Sequence, residues 1–559
     1  MTRLRVALIA GCAAAVVALP SVRNGFVEDD QFVVAGRAVL QHPASLRALL
    51  TEPYWPRSFR GSLWRPVLLA SWALDYQISG KPAWFHAVNV AWAAVAAAMM
   101  ALLAFELGGP VVGLATGLLF AVHPVHVEAT AGVVGRGELI AAAGYAVALL
   151  CALRAASHPR WLIGVIVAAA LAIGAKEHAA TLPLVVLLAC VGSRESGVAR
   201  RASWSRSALA AGCAAVPIIV YFAIRPSIVG GALDSGGMAP GLEGHALPAR
   251  VSIMLALSLE WWRLCLLPMH LSADYSPADV PVTAALTARH VVAALIWIGA
   301  ALGAWRLRRS VPGVVLGLAW LVITLGPVAN VLVPTEILVA ERTLYLPVWG
   351  VVFALASLGA AATAPARAKV AVLALAVLAC SARSLARVGV WHDSEIFYAA
   401  LLRDAPRSYR TLWFRGNDAF AARQSGTGER LLRQAISAAP GIPGPREALA
   451  QHYAEAGLWP QAALLLRQSI PLNETRSRPW MLLPGVLLGA GDTAAAVVAA
   501  REGAARFPGD ADVTVVAVRI LLAAKRCADA YHILQERPGQ LSPAVRTDLE
   551  RSTAECLSG

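Results

Sequence analysis

The stretch MTRLRVALIAGCAAAVVALPSVRNGFVEDDQFV, residues 1–33, decides how the rest of the chain is read. Its basic start and Ala-rich apolar run have the form of a secretory signal peptide. No small-x-small cleavage site precedes the polar stretch, and many further apolar runs follow. The expectation is therefore an uncleaved first helix, with the Thr2–Arg5 end in the cytoplasm. Behind it comes FVEDDQFV (Phe26–Val33), in which Glu28, Asp29 and Asp30 stand in a row. Carboxylates at a membrane boundary can sit in water at little cost, so the cluster by itself is either a solvated flank or a reactive group.

Of the 559 residues, 58% are hydrophobic and only 15% are charged. That is too apolar for a soluble protein of this length. Several runs reach the roughly 20 residues that cross a bilayer. The fold class is all-α, a polytopic membrane bundle, because helices satisfy their own backbone in lipid. The net charge of +14 lies largely between apolar runs, where positive-inside topology explains it without nucleic acid. About eleven spans are expected, at roughly 5–22, 85–107, 111–127, 138–154, 161–176, 179–192, 208–224, 290–305, 311–329, 345–363 and 369–387. A further apolar run, 251–268, is expected to be re-entrant or to lie on the surface. Alternation then puts the net-basic loops 154–160, 193–207, 305–310 and 363–369 in the cytoplasm. FVEDDQFV, HPVHVEATAGVVGRGE, KEH and NVLVPTEILVAERTLYLP then fall on the extracytoplasmic side, a bacterial periplasm or an ER lumen, as does the C-terminal region.

Two parts are expected, a transmembrane domain over 1–390 and an extracytoplasmic repeat domain over 391–559. In the second, Gly457 and Gly491 align 34 residues apart, and another 34 reaches Lys525. A helix–turn–helix period of 34 is the tetratricopeptide pattern, and stacked units of it make a concave binding surface. Of eight cysteines, Cys527 and Cys556 alone lie in this polar part. An oxidising compartment would permit a disulfide between them, and two free thiols are equally compatible.

Ionisable residues gather against the ends of the apolar runs. HPVHVEATAGVVGRGE carries His123, His126, Glu128, Arg136 and Glu138, with Pro124 interrupting the helix so that polar groups can line a cavity. Lys176, Glu177 and His178 end another run; Glu341 and Arg342 stand together in AERTLYLP; Arg65 and His86 complete the set. Such groups usually pair inside a bundle or bind something. Cations suit an anionic phosphate, and guanidinium forks match its geometry, which assigns Arg65, Arg136, Lys176 and Arg342 to it. Asp29 and Asp30 fit a general base and its orienting partner. Against this stand simple pairs, Glu177 with Lys176 and Glu341 with Arg342. His123, His126 and Glu128 offer three metal ligands but no fourth, so no metal or other cofactor is assigned. Asp274 and Tyr275 receive no role.

The motifs FVEDDQF, WRPVLLASWALDY, FHAVNV, LLFAVHPVHVEATAGVVGRGELIAA, AKEHAATLPL, LLPMHLSADYS, VAERTLYLPVWG and VWHDSEIFYAALLRDAP occur in this order. In them the chain resembles the transmembrane and tetratricopeptide-repeat O-mannosyltransferases of the GT-C glycosyltransferases. The resemblance covers most of residues 20–410, and the repeats follow it. It implies a GT-C bundle that works on the side opposite the cytoplasm. It also implies a polyprenyl-phosphate sugar donor (in the family, dolichyl-phosphate mannose), a protein Ser or Thr hydroxyl as acceptor, and inversion at the sugar carbon. The family's acidic pair falls on Asp29 and Asp30, with Asp29 as the base, and the repeats would bind the acceptor protein. Glu28 stands where the family often has an aromatic residue. His86, His123, His126, Glu128, Glu138, Glu177 and Glu341 are expected to line the site. Rival readings are a lipid-linked sugar transferase acting on lipopolysaccharide, glycolipid or cell-wall polymer, and a non-catalytic membrane-anchored repeat scaffold. A transporter fits less well, since a transport path needs polar groups near the midplane.

Overall fold

The computed structural model describes residues 1–56, 63–155, 157–195, 204–229, 238–473, 476–536, 541 and 543–558. Among them the chain is helical, with no β-strand. Counting helices of nine residues or more, the first part holds α1 (Arg3–Ala18), α2 (Pro66–Ile78), α3 (Pro82–Val122), α4 (Arg136–Ala155), α5 (Trp161–Ala175), α6 (Leu182–Glu195), α7 (Trp204–Val229), α8 (Leu247–Leu266), α9 (Ala288–Leu307), α10 (Pro312–Leu325), α11 (Pro347–Ala361) and α12 (Ala366–Val388). Among the described residues, six segments are long and apolar enough to cross a membrane, and four shorter apolar helices accompany them.

At 41 residues α3 would measure about 60 Å if straight, twice a bilayer's hydrocarbon core. It is instead a hairpin. Gly109 has φ 81° and ψ −178°, backbone open essentially to glycine alone, and Pro110 follows. A Cβ on Gly113 would lie 2.7 Å from Phe105 Cα, and one on Gly117 would lie 3.4 Å from Ala101 Cα, so the two arms run antiparallel. The spans expected at 85–107 and 111–127 are these arms. The second stops at Val122 because Pro124 cannot continue it. The same absence of side chains lets α1 approach, Gly11 standing against the Ala94 carbonyl. α4, buried along nearly its whole length, is the centre of the bundle.

Both ends of α8 meet loops at one end of the bundle. Arg250 Nη1 donates to the Asn330 carbonyl (3.4 Å), and the Cys265 carbonyl accepts from His123 Nε2 (3.1 Å). α8 therefore does not run from one end to the other. At the opposite end Arg3 pairs with Glu106 (2.8 Å). Of the basic loops, most of 193–207 lies outside the described residues.

Beyond α13 (Ser394–Asp404), the helices come as pairs: α14 (Tyr409–Ala421) with α15 (Ser425–Ala438), α16 (Gly444–Glu455) with α17 (Trp459–Ser469), α18 (Arg478–Gly489) with α19 (Thr493–Arg506), and α20 (Ala511–Ala523) with α21 (Cys527–Gln535). α22 (Pro543–Ser558) closes the stack. Each pair turns through one left-handed residue: Arg423 (φ 61°), Gly457 (φ 74°), Gly491 (φ 80°) and Lys525 (φ 53°), every one 34 positions after the last. The tetratricopeptide period is thus a backbone property repeated four times. The first turn is invisible as a motif because Arg423 occupies the glycine position. Cys527 and Cys556 are joined as a disulfide, with Cα atoms 5.6 Å apart, tying α21 to α22.

Candidate functional site

The loop after α1 is held from several sides. Asn24 donates to the carbonyls of Ala131 (3.5 Å) and Val388 (3.4 Å), and Gly25 N–H to that of His392 (2.7 Å). His86, wholly buried, places Nε2 3.1 Å from the Gly25 carbonyl. Asp30, 1% exposed, accepts the backbone N–H groups of Val133 (3.1 Å) and Val134 (2.8 Å). Burial pushes its carboxyl up to about 7, against the pull of those N–H groups. Asp30 thus anchors the loop to the segment before α4 instead of facing outward. Asp29 beside it is half-buried and, among the described residues, its carboxylate accepts no hydrogen bond. Glu28 adopts φ 53° and pairs with Arg410 (2.7 Å).

The four expected phosphate-binding cations differ in access. Arg342 retains 23% side-chain exposure; its Nη1 meets Glu128 Oε1 and its backbone N–H donates to Glu128 Oε2 (2.8 Å). Lys176, at 18%, pairs with Glu138 (3.0 Å), whose other oxygen lies 3.2 Å from His178 Nδ1. Arg65, at 8%, forks onto Glu177 (3.0 and 2.9 Å) and lies 4.3 Å from the Tyr54 ring centroid. Arg342 is in electrostatic reach of Asp29 and Glu28, and Lys176 of Arg65 and Arg342, so these cations and the acid loop form one cluster.

Arg136 does not fit a phosphate. Its guanidinium is 0% exposed: Nε donates to Asn89 Oδ1 (2.7 Å), Nη1 to Ser71 Oγ (2.8 Å) and to the Asp75 carboxylate, and Nη2 to the Phe85 carbonyl (2.9 Å). Each nitrogen is spent inside the bundle, so Arg136 pins α2 and α3 to α4. The neighbouring pairs envisaged from the sequence also re-sort. Glu177 takes Arg65 and Lys176 takes Glu138, while Arg342 takes Glu128. Glu341, fully buried, accepts from Ser272 N–H (2.6 Å) and the Tyr275 hydroxyl (2.7 Å), and burial pushes its carboxyl up to about 8.

The His123 ring accepts the Val125 N–H (3.3 Å) at Nδ1 and reaches the Cys265 carbonyl at Nε2; the His126 ring packs 4.1 Å from that of Tyr345. Among the described residues no three His, Cys, Asp or Glu side chains gather as a metal site. Sequence reasoning missed Asp75, Tyr54 and Arg410, and gave no role to Tyr275, which bonds the buried Glu341. Asp75 carried a usable signal, since an acid within an apolar helix calls for a buried partner.

No family model matches the chain. Tmtc1 of Drosophila melanogaster, a protein O-mannosyl-transferase by name, is 37% identical over 183 residues, 31% of this chain and 21% of its own length. Tmtc2 of the same fly is 37% identical over 153 residues, 26% of this chain and 16% of its own length. Human TMTC4, of the same designation, is 26% identical over 466 residues, 71% of this chain and 62% of its own length. The chain thus spans less than two thirds of each of these relatives. Among solved structures, the APC/C hetero-tetramer Cut9–Hcn1 aligns at 14% identity over 87% of this chain and 92% of its own, with a TM-score of 0.26, too low to carry an argument. The curated homologues of this chain are the transmembrane and tetratricopeptide-repeat O-mannosyltransferases, as its motifs suggested.

Proposed function

We propose that the chain is a membrane glycosyltransferase that moves mannose from a polyprenyl-phosphate donor to Ser or Thr hydroxyls of a protein on the extracytoplasmic side. Asp29 is the base. It takes the proton of the acceptor hydroxyl, whose oxygen bonds to the sugar C1 from the face opposite the phosphate. The C1–O bond to phosphate breaks, and its electron pair leaves on the phosphate. Arg342 and Lys176, the two most open of the four expected cations, face that phosphate and neutralise the charge that builds on it. Arg65, spent on Glu177, shapes the pocket wall with Tyr54. Asp30 orients the loop, and the repeats bind the acceptor chain.

The observation that supports this most is the pairing of roles across the fold. Asp29, whose carboxylate accepts no hydrogen bond among the described residues, lies within electrostatic reach of Arg342, the most open of the four cations. The test is transfer by the purified full-length protein from polyprenyl-phosphate mannose to an envelope protein extract. A hexose mass shift on protein is expected, and Asp29→Asn should abolish it while remaining folded and membrane-inserted. Undiminished turnover in Asp29→Asn removes it as the base. Label on glycolipid in place of protein moves the acceptor class to lipid.

A further inference from the structure

We infer that Arg410, at the start of the first repeat helix, is a positioning residue for the acid loop: it fixes Glu28, and through Glu28 the backbone that carries Asp29. This rests on the reading of Asp29 as base. Arg410 Nη1 stands 2.7 Å from Glu28 Oε1, although the two residues are 382 positions apart. Glu28 occupies left-handed backbone at φ 53°. That region costs a non-glycine residue about 1–2 kcal/mol and persists only where the surroundings impose it.

Arg410 is itself held. Its backbone N–H donates to Ser408 Oγ (3.1 Å), which caps α14, and its Nε lies 3.9 Å from Asp274 Oδ1. The other oxygen of Asp274 accepts the hydroxyls of Ser276 and Ser408. A second strut reaches the same loop from α13, where Gln31 Nε2 donates to Ser394 Oγ (2.9 Å). The chain that follows α12 therefore grips the acid loop on both sides of Asp29. The charged groups around Glu28 are Arg410, Asp29, Arg342 and Glu128. Of these, Arg410 alone comes from the repeats, so this ion pair links the repeat stack to the acid loop.

In the transfer assay, Arg410→Gln should lower kcat about tenfold with KM for the polyprenyl-phosphate mannose unchanged, as expected when a reacting group is misplaced but donor binding is not. Arg410→Lys should restore most of it. Glu28→Gln removes the same contact from the other side and should give the same loss, with the double variant no worse than either single one. Independently of transfer, amide hydrogen exchange over residues 26–31 should accelerate in Arg410→Gln and stay unchanged in α4. Wild-type kcat and exchange in Arg410→Gln, or additive losses in the double variant, overturn the inference. Asp29→Asn run beside them separates the two ideas. If it keeps turnover, the base assignment fails, and the exchange rates alone decide the role of Arg410.

Discussion

In the repeats, polar contacts join near neighbours. Arg433 reaches Glu429, four positions back, and Tyr453, twenty ahead. At the charged end of the bundle, partners are 112 (Arg65–Glu177), 214 (Arg342–Glu128) and 382 (Arg410–Glu28) positions apart. Both regions are helical and both bury small residues at close contacts. They differ in what a stretch of sequence knows about its own structure. A repeat needs only its neighbours, so its rules are written locally and recur. The charged end is assembled from loops that meet only after the bundle has formed.

The sharpest way to break this division is to exchange cations of the two kinds within the bundle. Arg136→Met leaves Asp75 buried without its partner and should cost about 3–5 kcal/mol, read as loss of folded protein in thermal unfolding. Arg342→Met, at a partly open site, should keep the fold and lose transfer. The reverse pattern would mean that burial does not sort structural from functional cations here. The repeats can be probed next through their end. Reducing Cys527–Cys556, 29 positions apart, should destabilise the α22 cap by about 3 kcal/mol. A membrane-impermeant thiol reagent should label both cysteines only after reduction. Labelling without it would show a cap held by packing alone.

A third test uses pH. Glu341 in the fold titrates near 8, above an ordinary carboxyl. It therefore favours folding at low pH, fully so below about 4.5, and that contribution is lost as pH rises through about 8. The wild type should lose on the order of 3 kcal/mol more than Glu341→Gln between pH 5 and pH 8, measured by thermal unfolding. Equal slopes would place the titration elsewhere. The smallest effect belongs to the repeat turns. Lys525→Gly and Arg423→Gly should each stabilise by about 0.5–1 kcal/mol by relieving left-handed backbone, whereas Gly457→Ala should cost about 1. A gain at Lys525 but not at Arg423 would show that the first turn answers to the bundle as well as to the repeat.

The same contrast explains what could be read in advance. Apolar run length located the helices, and the 34-residue spacing of Gly457, Gly491 and Lys525 located the repeats, because both are properties of short windows. At the charged end, residue types were legible and partners were not. Lys176 and Glu177, adjacent in sequence, turn to Glu138 and Arg65 across the bundle. Arg136 looked like Arg342 in the sequence, and only the placement of Asp75, Asn89 and Phe85 around it reveals a group with no nitrogen to offer. Glu28 drew notice as the first of three acids in a row and as a departure from an aromatic position. Its role depends on Arg410, which no local pattern connects to it.

The hairpin of α3 bears on how the protein is made. Its arms are joined by Gly108, Gly109 and Pro110, with no polar connector to be carried across or left behind. Such a pair is expected to enter the bilayer as one unit during synthesis, its hydrophobic length already doubled back. A side chain at Gly109 would oppose that reversal at the moment of insertion, so its harm should appear first as failed integration in newly made chains, before any mature protein exists to be assayed.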